Sequence, residues 1–130
     1  MGFDLERRFR VWDYNISHKQ MLLRSPESPE EAENIDVIFW DVDYIEIPTA
    51  MDGLSLDEAT GDEIAKIGGI LAIKHAKMSI YCLVSGGLRF LIVAGGYKVL
   101  KNKLDVFESS LEYFAATAPD REPGTVLSHS

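Results

Sequence analysis

The sequence predicts an α+β domain dominated by antiparallel β-sheet: about six strands, one helix near 56–67 and a short C-terminal helix near 110–116. Three observations carry this. Runs of β-branched and aromatic residues at 79–85, 88–94 and 97–101 are separated by Gly86-Gly87 and Gly95-Gly96. A Gly-Gly pair suits a two-residue hairpin loop, because both central residues take positive φ at no steric cost. Ile64, Ile67 and Leu71 share one helical face and follow Asp57, Glu58, Asp62 and Glu63, acids that suit the exposed amides of a helix N-terminus. Finally, 130 residues with 46% hydrophobic and 26% charged content are enough for one core without staples.

Along the chain, Arg8 to Tyr14 reads as a half-buried strand, Asn15-Ile16-Ser17-His18 as a turn, and Gln20 to Arg24 as the returning strand. Ser25 to Asn34 holds two prolines and four glutamates, an acidic loop expected to be exposed. Asn34 to Pro48 is the longest strand candidate. Its apolar positions slip from odd (Ile35, Val37, Phe39) to even (Trp40, Val42, Tyr44) and back to odd (Ile45, Ile47). A side-chain period of 2 slips only at a bulge or where a second face is buried, so a bent strand is expected with breaks near Phe39-Trp40 and Tyr44-Ile45. The helix is placed over about Leu56 to Ile67, ending at Gly68-Gly69, since a glycine pair inside a helix costs roughly 2 kcal/mol against alanine. Residues 1–117 form one globular domain in this reading, and 118–130, with Pro, Gly, Ser and charge, a flexible tail.

The meander over 78–101 has a definite expected register: Ser85 opposite Leu88, Leu83 opposite Phe90, Tyr81 opposite Ile92, Ala94 opposite Tyr97 and Ile92 opposite Val99. One face then carries Tyr81, Leu83, Phe90, Ile92, Ala94, Tyr97 and Val99, the other Ile80, Cys82, Val84, Leu91, Val93 and Leu100. Both faces are apolar, so each needs a cover. The helix supplies one; a further sheet layer, or a second subunit in a homodimer, supplies the other.

Charge and composition narrow the function classes. With 13 Lys+Arg against 21 Asp+Glu the formal charge is −8, which argues against a nucleic-acid binder, because neutralising phosphates needs clustered cations. The N-terminus carries acids and no apolar core, so no signal peptide is expected. No charge-free stretch approaches the roughly 18 residues of a membrane span, and a cytoplasmic location is expected. One cysteine, Cys82, leaves no internal disulfide and no multi-cysteine zinc site.

The chemistry-bearing candidates are few. Val37-Ile38-Phe39-Trp40-Asp41-Val42-Asp43 ends an apolar strand in Asp-x-Asp. It resembles the nucleophile motif of haloacid-dehalogenase-like phosphatases and the metal-binding Asp-x-Asp of nucleotide-sugar glycosyltransferases. The first resemblance implies Asp41 as nucleophile and Asp43 as acid/base, with magnesium between carboxylate and phosphate. The chain departs from it at Ile45, where that family carries Thr or Val, and in lacking a later Asp-Asp pair. Strand alternation alone explains the spacing, with Asp36 and Glu46 joining the pair on a solvent-side charged face. Cys82 lies between Ile80 and Val84 on an apolar face, the setting of an inert thiol rather than of a nucleophile served by His18 or His75. No metal-ligand spacing links the histidines.

The favoured expectation is therefore a non-enzymatic binding or protein-interaction domain with an acidic surface, neutralising a basic partner in one version, with no cofactor and no catalytic residues. Its candidate surface comprises Trp12, Tyr14, Trp40, Tyr44, Glu30 and Glu31. A small metal-dependent phosphatase or transferase using Asp41 and Asp43 is the alternative, and a small-molecule carrier lined by Trp12, Tyr14 and Tyr44 a weaker one.

Overall fold

The computed structural model describes residues 2–71, 78–114 and 124–130. Its first turn is built by Asn15, whose side-chain oxygen accepts from the Ser17 hydroxyl at 2.8 Å and the His18 amide at 3.2 Å. The hairpin so formed joins β1 (Asp4–Asn15) to β2 (Gln20–Ser25), with Val11 opposite Leu23 and Tyr14 opposite Met21. β3 (Asn34–Trp40), β4 (Tyr44–Ile45) and β5 (Ala50–Glu58) follow, then helix α1 (Gly61–Ile70), β6 (Ser79–Ser85), β7 (Leu88–Ala94), β8 (Gly96–Asn102), the single turn α2 (Leu111–Phe114) and β9 (Thr125–His129). The strands make one antiparallel sheet in the order β4-β7-β6-β5-β1-β2-β3-β8-β9. The described residues thus hold nine strands, not about six.

The two ends of this sheet meet. β3 and β4 are successive pieces of one bent run, as are β7 and β8, and β3 pairs with β8 while β4 pairs with β7. Between them the Gly95 amide donates to the Trp40 carbonyl and the Asp43 amide to the Val93 carbonyl, both at 2.8 Å. The ladder thereby continues through the bend and the sheet curls into a barrel. Inside, Phe39 of β3, Tyr81 of β6 and Tyr97 of β8 meet, with ring centroids 5.5 Å apart for Tyr81–Tyr97 and 5.6 Å for Phe39–Tyr81. Phe9, Leu23, Val37, Met51, Leu83 and Ile92 complete this interior.

The Gly86-Gly87 turn has φ of 59° and 78°, and the expected register across it holds: Ser85–Leu88, Leu83–Phe90 and Tyr81–Ile92. Gly95-Gly96 is no turn. The chain bends there without reversing and changes partners, so Tyr97 faces Phe39 and Val99 faces Val37 rather than strand β7. Glycine is needed there for space: a Cβ on Gly96 would fall on the Trp40 ring, 2.6 Å from Cε2 even at its second contact. The expected break near Phe39-Trp40 lies at Asp41, which adopts φ of 51°.

Each apolar face of 79–100 does find a cover, within one chain. The first lines the barrel interior. On the second, Cys82, Leu91 and Val93 pack under Ile67 of α1, and Leu100 packs with Leu22, Ile38 and Leu111 beneath the segment that follows β8. The barrel's own far wall takes the place of the second subunit, which removes the surface on which the homodimer rested.

The helix starts later and ends later than expected. Leu56 to Glu58 belong to β5, where they pair with β6. Thr60 caps α1: its hydroxyl accepts from the Glu63 amide at 3.2 Å, and the Glu63 carboxylate accepts from the Thr60 amide at 2.9 Å, the reciprocal capping box. α1 continues through Gly68-Gly69 to Ile70. Of the C-terminal helix expected at 110–116, the described residues hold one turn, Leu111–Phe114, and residues 115 and 116 lie outside them. The tail is not wholly free either: Thr125–His129 pairs with β8, closed by the Ser130 amide on the Tyr97 carbonyl at 3.0 Å, while 118–123 lie outside the described residues. No described helix is long and apolar enough to cross a membrane.

Candidate functional site

The barrel's outer wall has three sectors. α1 covers β6 and β7, the segment after β8 covers β2, β3 and β8, and the wall of β5 and β1 stays open, with Arg8, Arg10 and Asp52 exposed. At the boundary between the second and third sectors stands Trp12.

Beneath Trp12 lies a buried polar network that sequence reasoning missed. Arg24 of β2 and Asp36 of β3 sit opposite each other, with side chains 1% and 0% exposed. The guanidinium grips the carboxylate in a fork, Nε to Oδ1 at 2.7 Å and Nη2 to Oδ2 at 2.9 Å. Asn102 Nδ2 donates to the same carboxylate at 2.9 Å, and Asn34 Nδ2 donates to Asn102 Oδ1 at 2.9 Å and to the Leu104 carbonyl at 2.8 Å. Arg24 Nη1 donates to the Glu108 carbonyl at 2.9 Å. The network thus pins the covering segment to the sheet, and the Trp12 ring lies 5.3 Å from the Arg24 guanidinium carbon. Asp36 is accordingly not on a solvent-side charged face. A signal existed: Arg24 and Asp36 interrupt the runs Met21-Leu22-Leu23 and Ile35 to Phe39, where an unpaired charge would be costly.

Hollows flank Trp12. One of about 340 Å³ is lined by Trp12, Arg24, Pro26, Asn34, Leu104 and Val106. The other, a groove of about 560 Å³, runs along the outer face of β1 past Glu6, Arg8 and Arg10, with Pro26, Ser28, Glu30 and Glu31 as its far wall. Such volumes suit a small ligand or a short chain segment. The far wall is fixed by Arg7, which donates to the carbonyls of Ser25, Pro26 and Glu33 at 2.9–3.1 Å and lies 3.5 Å from Glu31. Glu30 accepts from the Ser28 hydroxyl at 3.2 Å. Arg8 lies 3.8 Å from Asp52, both well exposed, a contact of little strength. Arg10 makes no ion pair among the described residues.

Of the six residues expected at an interaction surface, three meet here: Trp12, Glu30 and Glu31. Tyr14 stands further along β1, 39% exposed. Trp40 covers Gly95-Gly96. Tyr44 packs under α1, and its hydroxyl donates to Glu46 at 2.8 Å. Glu46 is in turn held below the usual carboxylate range by the Lys66 ammonium, 2.8 Å away, so this corner anchors the helix.

Asp41 and Asp43 lie in the bend between β3 and β4, both exposed. Lys19 pairs with the Asp43 carboxylate, and no group of three or more metal-ligating side chains gathers among the described residues. Cys82 is fully buried, and burial pushes its thiol pKa up; His18 is exposed in the first turn, and His75 lies outside the described residues. The strongest surface ion network joins Arg89 to Glu63 and Asp57, at 2.9 Å and 2.8 Å. The guanidinium, helped by the Thr60 amide, holds the Glu63 carboxyl down to about 2. It ties β7 to the start of α1. No protein-family model, curated protein or solved structure matches the chain.

Proposed function

We propose that this protein is a non-enzymatic interaction domain whose contact surface is the groove between β1 and the loop 26–31, centred on Trp12. One observation carries the reading: the open sector of the wall is where a half-buried indole, two weakly engaged arginines and an acidic loop converge around about 560 Å³. A half-buried tryptophan beside a hollow is a typical anchor for a partner side chain. The formal charge of −8 raises the rate of encounter with a partner that is basic elsewhere on its surface, while the groove itself selects by contact.

A displayed library of random short peptides tests this. The wild-type protein is expected to retain a set of segments, and Ser28→Trp, which fills the groove from its exposed loop side, is expected to release them. Retention of the same set by both proteins, or of none by the wild type, refutes the assignment.

A further inference from the structure

The chemistry of the groove specifies more than a location. Phe9 points into the barrel and is fully buried, so its neighbours Arg8 and Arg10 both start on the outer face, the alternation of a strand. Both line the groove, together with Glu6 before them and Trp12 after them. β1 is regular from Arg8 to Val11, so Arg8 and Arg10 stand at alternate positions on this face, while register shifts between Leu5 and Arg8 and between Val11 and Asp13 set Glu6 and Trp12 on its flanks outside the even repeat. Arg8 and Arg10 are thus spaced about 6.8 Å apart along the strand, which is also the repeat of an extended peptide laid over it.

The two cations are the underused groups. Arg10 makes no ion pair among the described residues, and Arg8 has only the Asp52 contact at 3.8 Å. The glutamates of the far wall are occupied, Glu31 beside Arg7 and Glu30 on Ser28. In a chain with an excess of eight acids, a pair of weakly engaged guanidinium forks in a groove is the local exception to the overall charge, and such forks select carboxylates.

We propose, resting on the reading of the groove as a protein-interaction surface, that its occupant is an extended segment with two acidic side chains at alternate positions. These meet Arg8 and Arg10, with an aromatic or large apolar side chain on the flank towards Trp12 and a basic side chain on the flank towards Glu6. The recognition is a register: charge pattern and spacing matter together.

Fluorescence polarisation with labelled peptides tests the pattern. The probe is Lys-Thr-Asp-Thr-Asp-Thr-Phe, measured also in reverse order because the chain direction is free. Controls replace either Asp by Asn, or bring the acids together as Lys-Thr-Thr-Asp-Asp-Thr-Phe. Each control, and Arg10→Ala, is expected to weaken binding about tenfold, the scale of one charge-assisted contact. Arg10→Glu is expected to reject the probe and accept the peptide with Lys in place of the matching Asp. Equal binding of probe and controls overturns the register. Library segments that bind in the groove without this pattern sink this inference alone, whereas a library yielding no groove-dependent segment sinks the functional reading as well. Both arginines are exposed, and circular dichroism of each variant checks that the fold is kept.

Discussion

Replacing Asp36 by Asn keeps the shape of the side chain and removes the charge that Arg24 was folded around. The carboxylate accepts three hydrogen bonds, two from the guanidinium fork and one from Asn102, and both charged side chains are excluded from water. An Asn in its place offers one oxygen for three donors and turns an amide towards a buried cation. Breaking a buried pair from one side costs about 3–5 kcal/mol, because the surviving charge is left without compensation. Unfolding entropy for a chain of this length is about 0.27 kcal/mol/K, so the loss corresponds to a fall in Tm of about 11–18 °C. Urea titration followed by the fluorescence of Trp12 and Trp40 gives the free energy, and calorimetry gives Tm. Replacing both partners, Arg24→Met with Asp36→Leu, is expected to recover part of the loss, since well-packed apolar pairs often equal buried ion pairs, while the buried Asn102 amide loses its acceptor. It should still loosen 103–110, because the Arg24 bonds to the carbonyls of Glu108 and Asp105 go with it. An Asp36→Asn protein within 1 kcal/mol of wild type would refute the argument that this pair is desolvated and indispensable to its partner.

Glycines in different settings make opposite predictions. Gly68→Ala is expected to stabilise the protein by about 1 kcal/mol in urea titration, since the position is helical, exposed and open around the new Cβ. Gly96→Val is expected to cost about 1–3 kcal/mol or more by overpacking against Trp40, with a change in tryptophan emission. Glu63 sets a pH dependence. Its pKa in the folded protein is lowered to about 2 from an ordinary 4.5, so its contribution is present above pH 4.5 and is lost as pH falls towards 2. Arg89→Ala should flatten that acid limb in stability measured against pH, and an unchanged limb would mean that other carboxylates set it.

Much of the fold was legible because strand alternation is a local signal. The Gly86-Gly87 hairpin, its register and the two apolar faces of 79–94 follow from parity and turn chemistry. So does the Asn15 turn, and so does the burial of Cys82. Where the reading failed, the deciding contact was remote in sequence except at the start of α1, which the local Thr60–Glu63 capping box sets. Gly95-Gly96 looks like Gly86-Gly87 to any local rule, yet the first accommodates the ring of Trp40 from another strand and the second a positive φ. Asp36 looks like a solvent-side acid until Arg24 is placed opposite it. The end of the chain shows no strand pattern of its own; β9 forms because the β8 edge offers unpaired backbone groups. For the groove, the aromatic and acidic candidates were visible, but Arg8 and Arg10 were not singled out, because an arginine becomes notable only when its lack of a partner can be seen.

Barrel closure is the step from which both the missed and the anticipated features follow. A strand apolar on both faces demands two covers, and a flat sheet would take the second from outside the chain. Curling the sheet satisfies the demand internally but bends the strands that cross its seam. The slip of parity in 34–48 is the trace of that bend: Phe39 and Val42 both point into the barrel, which even spacing forbids unless the backbone between them breaks, as it does at Asp41. On the opposing strand the same bend brings Trp40 onto backbone, and only glycine leaves room. The slipped strand and the misleading glycine pair are thus the two sides of one seam. Lengthening either side by one residue, for example by inserting Ala between Gly95 and Gly96, should shift Tyr97 and Val99 out of the interior and abolish cooperative unfolding, whereas the same insertion between Gly86 and Gly87 should only lengthen a hairpin loop.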